Sequence, residues 1–352
     1  MAGSTKGARR KTDTDRWPRP EEVIERLIRA GAVDPARALT EGLVCVPCGR
    51  SHAVLRVELG GTPVLSVKLF GPSRGATEGS AAAELLVRAL APQVPALAAL
   101  VPQGQDSGDP HLLIAQWVAG QPAWEAEGEA APERATGLPG LSAQLVPLLA
   151  AMHRATARHL RQAPSPDETA PAPVLDRSLP WILRLVDGDS LAELWSNPLI
   201  TDVLAQILAK PDLVAGLRRA RAAWRPVGLI HGDCKLDNVI IGEGGAIRLI
   251  DWEMARLGDP AWDLAALSHR LLIDQGQGAA GHLAQLAADY AHAVAVPAAP
   301  IALRVPLYGA AWTLMSALQY RSTAAEPDTA NLARMLEAAA AGFAIGSPVA
   351  DV

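Results

Sequence analysis

The residues best suited to chemistry lie close together in the second half of the chain. Asp233, Asn238 and Asp251 stand at the ends of short apolar runs around a predicted β-hairpin. Together they offer one possible general base, one neutral oxygen ligand and a second carboxylate. Oxygen ligands of this kind suit Mg²⁺, which takes its remaining ligands from phosphate groups and water. The sequence therefore predicts a site that handles phosphate.

Two kinds of patterning surround this site. Between Ala53 and Phe70, apolar residues alternate with polar ones and Gly60-Gly61 marks a turn, which predicts a β-hairpin with one buried face. The apolar run from Leu112 to Val118 predicts a further strand. After residue 140 a helical period dominates. One helix is predicted before that point by the stripe Ala82, Leu85, Leu86, Ala89 and Leu90. The stripes after residue 140 are Leu145, Leu148, Leu149 and Met152, then Leu213, Leu217, Ala220 and Trp224.

The motif around the site resembles the aminoglycoside phosphotransferase and choline kinase-like family. The resemblance is carried by His231-Gly232-Asp233 with Asn238, by Asp251-Trp252-Glu253, and by Gly258-Asp259-Pro260 with Asp263. It implies an α+β, bilobal, protein-kinase-like fold: a small antiparallel β-sheet N-lobe with one helix and a large, mainly α-helical C-lobe, holding ATP between them. The sheet-then-helix order agrees with this.

The resemblance also implies roles for four residues of the motif. Asp233 corresponds to the catalytic base that accepts the proton of the substrate hydroxyl, and Asn238 and Asp251 correspond to the Mg²⁺ ligands. Lys235 occupies the position of a lysine near the γ-phosphate. Phosphoryl transfer needs an aligned oxygen and neutralised phosphate charge, so these groups could supply most of the catalysis.

In the first half, Lys68 lies on the predicted strand face opposite Leu65, Val67 and Leu69, as expected of a lysine that reaches the α- and β-phosphates. By resemblance, Ser51 belongs to the nucleotide-positioning loop and is expected to contact phosphate. The stretch from Gln116 to Val118 corresponds to the hinge, whose backbone would bind the adenine edge.

The glutamate that pairs with Lys68 is left open between two residues. Glu84 has family-like spacing, sixteen residues after the lysine, but lies opposite the predicted apolar stripe. Glu78 lies on the expected face but comes early in the helix. We prefer Glu84, while a solvated helix acid is the alternative for either.

Other reactive residue types are assigned to structure. His231 is expected to buttress the loop, and Asp263 to hydrogen-bond the loop or cap the following helix. Cys45 and Cys48 could be half of a zinc site or a redox pair, but no second pair accompanies them, so simple packing is favoured. Cys234 lacks a partner base and is treated as incidental.

The acceptor is not fixed by the sequence. Only eleven residues separate Asp251 from Asp263, too few for the activation segment with which protein kinases hold peptides, so a small hydroxylated molecule resembling an aminoglycoside or an amino alcohol is favoured. A biosynthetic kinase acting on Ser or Thr of a natural-product peptide is one alternative. A nucleotide-binding pseudokinase scaffold is another. ATP versus GTP and the oligomeric state stay open.

Composition limits the class of protein, its partners and its location. A net charge of −5, 49% hydrophobic and 20% charged residues describe a folded protein with no reason to bind nucleic acid. Three cysteines fit a reducing cytoplasm, and prolines interrupt the longest apolar stretch, so no membrane span is expected. The domain prediction is a flexible tail at 1–20, an N-lobe at 21–118, a C-lobe at 119–345 and a tail at 346–352.

Overall fold

The computed structural model describes residues 19–48, 53–70, 78–109, 111–126, 137–162, 175–187, 200–323 and 328–347. Nearly all of the two predicted tails and the whole of the Ser51 loop lie outside these residues. The chain divides into two compact units: Met1–Arg88 with Pro102–Ala119, and Ala89–Val101 with Gly120–Val352.

The division between the units follows hydrogen bonding. It falls after Ala119, one residue beyond the predicted boundary at 118. The segment Ala89–Val101, which the prediction assigned to the N-lobe, belongs to the second unit instead. The reason is local: Leu249 N–H donates to Leu100 O at 2.8 Å, and Arg248 Nη1 donates to Ala99 O at 2.7 Å.

The first unit is an antiparallel sheet with two main helices. The elements are α1 (Pro20–Arg29), β1 (Leu43–Pro47), β2 (Ala53–Leu59), β3 (Thr62–Leu69), α2 (Glu78–Leu90), β4 (Gly104–Gln105) and β5 (Leu112–Gln116). The sheet order is β1-β2-β3-β5-β4. The hairpin predicted over 53–70 is confirmed, with Leu55 opposite Val67 across its strands. Helix α1 was not predicted.

One face of this sheet packs against helix α1. Val23 and Leu27 of α1 pack against the strand residues Val57 and Val67, all of them almost fully buried. That core uses the alternate positions of the strands, because successive side chains of a strand point to opposite faces. Helix α1 is held at its end by an ion pair between Arg26 and Asp109.

The apolar stripe predicted for α2 is wrong. Leu85 is 40% exposed, whereas Ala81, Val87 and Leu90 are buried and Glu84 is buried among them at 5% exposure. Alanine and leucine occur around most of this helix, so the apolar pattern does not identify the buried face. Packing selects the face that carries the glutamate.

The second unit is mainly helical. Its main helices are α3 (Gly137–Gln162), α4 (Thr201–Leu208), α5 (Pro211–Ala222), α6 (Ala261–Gln275), α7 (Ala280–Val294), α8 (Ala299–Thr323) and α9 (Thr329–Ile345), and its strands are β6 (Gln121–Pro122), β7 (Gly228–Ile230), β8 (Val239–Ile241), β9 (Ile247–Leu249) and β10 (Arg256–Gly258). The predicted hairpin is β8 and β9, with Val239 opposite Leu249. The stripe that predicts α5 is buried at all four positions.

Helix α6 lies at the centre of this unit. Ten of its residues are buried, including Trp262, Asp263 and Ser268. Helix α5 packs closely on α9, where Gly216 meets the ring of Phe343 and has no room for a side chain. A helix buried on most sides fixes its neighbours rigidly, because protein interiors are close-packed.

Among the described residues, one helix is long and apolar enough to cross a membrane. This is Ala299–Ser322 within α8, and 72% of its most apolar stretch is buried inside the protein. Such burial is typical of a core helix.

Candidate active site

The loop between β7 and β8 brings Asp233, Lys235 and Asn238 together. Asn238 Nδ2 donates to Asp233 Oδ2 and to Asp233 O, both at 2.8 Å. Lys235 Nζ lies 3.0 Å from the same carboxylate oxygen, and only 13% of the Asp233 side chain is exposed. These contacts fix the orientation of the carboxylate.

The electrostatics of this loop favour a carboxylate that can accept a proton. Burial raises the pKa of Asp233, although the charges of Lys235 and His231 oppose the shift and Asp251 adds to it. Burial alone would lower the pKa of Lys235, but Asp233 and the neighbouring acids Asp237 and Asp251 outweigh it and raise that pKa. Asp233 is therefore a stronger base than an exposed carboxylate.

One position of this loop can be occupied only by glycine. Gly232 has φ +83°, and a Cβ there would overlap Met254 O. Trp262 Nε1 donates to Gly232 O at 3.1 Å. A residue with a Cβ is therefore excluded at position 232.

Asp263 holds the loop from beneath. Its carboxylate is fully buried and accepts from His231 N at 2.8 Å and from Gly232 N at 2.9 Å. The His231 ring Nε2 donates to Ile250 O at 2.9 Å, while Nδ1 accepts from Asp233 N at 3.2 Å. Both residues therefore have the structural contacts expected of them, and they hold the backbone that leads into Asp233.

Sequence reasoning missed the groups that hold Asp263. His153 Nε2 donates to Asp263 Oδ2 at 3.1 Å, and its Nδ1 accepts from the Tyr290 hydroxyl at 2.9 Å. Both side chains are at least 96% buried. The available signal was a histidine directly after the apolar stripe that ends at Met152. Nothing in the sequence links it to residues more than a hundred positions away.

Asp251 follows β9 in a strained conformation. It has φ 66° and ψ 59°, the left-handed region that costs a residue with a Cβ about 1–2 kcal/mol. The next turn, Trp252–Met254, is fixed by Trp252 Nε1 donating to Leu249 O at 2.8 Å. Ile250 N–H donates to Asn238 O at 2.9 Å, which ties this segment to the Asp233 loop. Strain held in place by its surroundings is common at functional sites.

The oxygen donors here fit a hard cation. Both hydrogens of the Asn238 amide are directed at Asp233, so its carbonyl oxygen is the atom left to act as a ligand. Asp251 is close enough to affect the pKa of Asp233 and of Lys235. Within the described part of the chain, no three His, Cys, Asp or Glu side chains form a metal-binding group. One amide and one carboxylate suit a cation that keeps phosphate and water ligands.

The first unit contains a buried ion pair. Lys68 Nζ lies 3.3 Å from Glu84 Oε2, with 6% and 7% of the two side chains exposed. Arg88 Nη1 donates to Ile114 O at 2.7 Å, and its Nη2 lies 3.5 Å from the other oxygen of Glu84. Glu84 is thus the glutamate that meets Lys68. The side chain of Glu78 lies outside what the structure describes.

The remaining residues expected at the nucleotide site differ in what the structure describes. Gln116 N–H donates to Gln103 O at 2.8 Å. Val118 makes no backbone hydrogen bond to another described residue, and its expected contact with the adenine edge stays a prediction. Ser51 lies outside the described residues, and its expected phosphate contact stays a prediction.

The cysteines show no sign of a reactive centre. Cys45 pairs with Val57 in the sheet and is half-buried, Cys48 is exposed, and Cys234 is fully buried. Burial raises the pKa of Cys234 well above its usual value, and the nearby Asp263 and Asp233 raise it further. A thiol of that kind is a poor nucleophile.

Comparison with known proteins identifies the family of the chain. Residues 46–295, more than two thirds of the chain, match the sequence profile of the phosphotransferase enzyme family. No curated protein matches the chain.

Solved structures share the fold. A choline/ethanolamine kinase family protein from Mesorhizobium loti has a TM-score of 0.53 at 18% identity, covering 92% of this chain and 98% of that one. A choline kinase from Cryptosporidium parvum has a TM-score of 0.56 at 12% identity, covering 90% and 94%. A putative aminoglycoside phosphotransferase from Ralstonia eutropha JMP134 has a TM-score of 0.55 at 16% identity, covering 93% and 98%. The kinase-like fold expected from the motif is confirmed.

Proposed function

The chain belongs to the phosphotransferase enzyme family, and we propose that it is an ATP-dependent kinase that transfers the γ-phosphate to a hydroxyl group of a small molecule. The observation that carries the proposal is the arrangement of Asp233, held by Asn238 and Lys235 in a loop that Asp263 fixes from below. The free thiols fit a cytoplasmic location.

Asp233 supplies the base. Its raised pKa suits a group that accepts the proton of the acceptor hydroxyl as the oxygen attacks phosphorus. The bond to Asn238 and the ion pair with Lys235 keep the carboxylate in one orientation, so no binding energy is needed to position it. Lys235, with its raised pKa, stays positively charged and can interact with the γ-phosphate.

Asn238 and Asp251 are the proposed ligands for Mg²⁺. When bound, Mg²⁺ would neutralise the charge of the phosphate oxygens. The left-handed backbone of Asp251 presents its carboxylate directly after β9, and the carbonyl oxygen of Asn238 is left over from its two bonds to Asp233.

Lys68 is the proposed ligand for the α- and β-phosphates. Its contact with Glu84 keeps the ammonium group in place without water, since both side chains are nearly fully buried. Removing Glu84 would take a carboxylate away from two buried cations, Lys68 and Arg88. The peptide group of Val118 is the proposed contact for the adenine edge, with Gln116 beside it, and Ser51 remains a proposed phosphate contact.

The acceptor is proposed to be a small molecule rather than a protein. After Asp251 the chain forms one turn and the short strand β10, and α6 begins at Ala261. Between Asp251 and Ala261 this leaves no segment that could hold an extended peptide. Choline, ethanolamine and aminoglycoside kinases among the similar structures suggest amino alcohols and amino sugars as the first acceptors to test.

ADP formation with purified protein tests the proposal. The protein is incubated with Mg²⁺ and ATP or GTP against panels of amino alcohols, aminoglycosides and Ser- or Thr-containing peptides. Asp233→Asn is expected to reduce turnover by about 100-fold or more, because general-base catalysis contributes that much. Asp251→Asn is expected to abolish turnover without disturbing the fold, because asparagine tolerates the left-handed backbone conformation. EDTA should abolish turnover by the wild-type protein.

Glu243→Gln is the matched control. Glu243 lies in the turn between β8 and β9, is exposed, and makes no hydrogen bond or ion pair with another described residue. It should keep most of the activity. ADP formation with the peptides and with no small molecule would refute the small-molecule acceptor, while the proposed kinase chemistry would stand. Nucleotide binding without turnover for any acceptor would favour the pseudokinase scaffold.

A further inference from the structure

The helical unit contains a cavity that the proposed chemistry does not use. Its volume is about 480 Å³, which lies within the range of small-molecule sites. It is lined by the second half of α3, by α7 and by the start of α8, with His153 and Tyr290 at its buried side. Asp233, Asn238 and Asp251 are not among the lining residues.

The cavity is strongly basic on one side. Arg154, Arg158 and Arg161 line it from α3, and Arg304 lines it from α8. The three α3 residues are spaced by four and then three positions, so they share one face of the helix. Like charges at that spacing repel each other. The C-terminal end of a helix favours cations by an amount similar to this repulsion.

Part of this charge has no counter-ion among the described residues. Arg304 pairs with Asp259 at 3.0 Å, and Arg154 Nη1 donates to Ala293 O at 3.3 Å. Arg158 and Arg161 are exposed and make neither a hydrogen bond nor an ion pair with another described residue.

Two carboxylates that contact residues of the cavity lining are already committed. Besides Arg304, Asp259 accepts from Arg225 N, Ala261 N and the Tyr308 hydroxyl. Asp263, beneath His153, accepts from the catalytic loop. Neither can neutralise the α3 arginines.

The other side of the cavity is apolar. Val227 and Val296 line it and are 56% and 47% exposed, which places them among the few large apolar side chains that the described surface leaves so open. Ile301 and Pro297 continue this wall. Exposed apolar residues that converge on one concave surface often mark a binding site.

We propose that this cavity binds a small organic anion, with its phosphate or carboxylate group on Arg158 and Arg161 and its apolar part against Val227 and Val296. The guanidinium groups match both anions geometrically, since each can offer two parallel donors. This site is separate from the site of phosphoryl transfer and does not depend on it.

Calorimetric titration with 1-naphthyl phosphate tests the proposal, with uncharged 1-naphthol as the matched ligand. The wild-type protein should bind the phosphate ester at least about tenfold more tightly than naphthol, and the difference should shrink as salt is raised. The double variant Arg158→Gln/Arg161→Gln should lose about tenfold or more in affinity for naphthyl phosphate only. Neither arginine has a described partner, so the variant should melt at the wild-type temperature.

Arg218→Gln is the control for general charge effects. Arg218 is exposed on α5 and makes no hydrogen bond or ion pair with another described residue. It should bind naphthyl phosphate as the wild type does. Equal affinity of the wild type for both ligands, unchanged binding by the double variant, or equal weakening by Arg218→Gln would each overturn the proposal. Carboxylate and phosphate ligands are then separated by repeating the titration with 1-naphthoate.

Discussion

Asp263 is the residue at which a minimal change should reach the loop that carries Asp233, the proposed base. The Asp263→Asn substitution keeps the shape of the side chain and replaces one oxygen by an amide. Oδ2 accepts from both His231 N and His153 Nε2, whereas Oδ1 accepts only from Gly232 N. The amide group will therefore occupy the Oδ1 position, since that orientation loses one acceptor contact instead of two.

The cost follows from this geometry. The N–H of Gly232 would face another donor in a fully buried environment, which costs about 1–3 kcal/mol. The two bonds that remain would be made to a neutral oxygen and lose part of their charge-assisted strength. The sum is roughly 2–4 kcal/mol. For cooperative unfolding of 352 residues at about 2.1 cal/mol/K each, this lowers the melting temperature by about 3–5 °C.

The loss of activity should be larger than the loss of stability suggests. Gly232 precedes Asp233 directly, and a displacement of a catalytic group by about 1 Å can cost about 100-fold in rate. We expect kcat for ADP formation to fall at least about tenfold at a temperature where the variant is fully folded.

Ser268→Ala is the control for this experiment. Ser268 is fully buried on the same helix, and its hydroxyl donates only within the helix, to Leu264 O at 2.8 Å. Its melting temperature should move by less than that of Asp263→Asn, and kcat should be unchanged. An Asp263→Asn variant with wild-type melting temperature and wild-type kcat would refute the conclusion that this carboxylate holds the loop.

Three further predictions concern stability and reactivity. Gly216→Ala should destabilise the protein by about 1–3 kcal/mol, because the added methyl group would overlap Phe343. Gly281 lies in open space on a helix, so Gly281→Ala should stabilise the protein by about 0.5–1 kcal/mol. Thermal melting of the two variants checks both values. Burial tends to raise the pKa of Asp109, but hydrogen bonds and charge, first those of Arg26 on α1, outweigh burial and lower that pKa. The Asp109 carboxylate therefore stabilises the folded protein above its ordinary pKa of about 4, and this stabilisation is lost as the pH falls below that value. Asp109→Asn should flatten acid unfolding curves in this pH range. Mass spectrometry after thiol alkylation at about pH 8 should find Cys234 unmodified in the folded protein and modified after unfolding, and labelling of the native protein would contradict its burial.

The sequence was most informative where the signal is local. The hairpin of β2 and β3, with its Gly60-Gly61 turn, and the hairpin of β8 and β9 are read from alternation and turn residues alone. The apolar stripe of α5 likewise has a clear period. The stripe of α2 failed because alanine is small enough to be tolerated on either face, so composition there does not distinguish inside from outside.

The sequence was least informative about partners across the chain. It left Glu78 and Glu84 open, and the structure places Glu84 beside Lys68 because the buried face of α2 carries it. It gave no sign that His153 and Tyr290 lie behind Asp263. Helix α1 was missed as well, although Val23 and Leu27 recur at helical spacing behind Pro20.

By itself, then, the sequence determined which side chains are available for chemistry and in what order, since Asp233, Asn238 and Asp251 are placed by a single short hairpin that local patterning specifies. Tertiary structure alone decided how each carboxylate is oriented and what holds it. Hydrogen bonds and ion pairs form only between groups a few ångströms apart, and the distances that matter here, from α3 to α6 and from β3 to α2, are set by the packing of whole helices and strands.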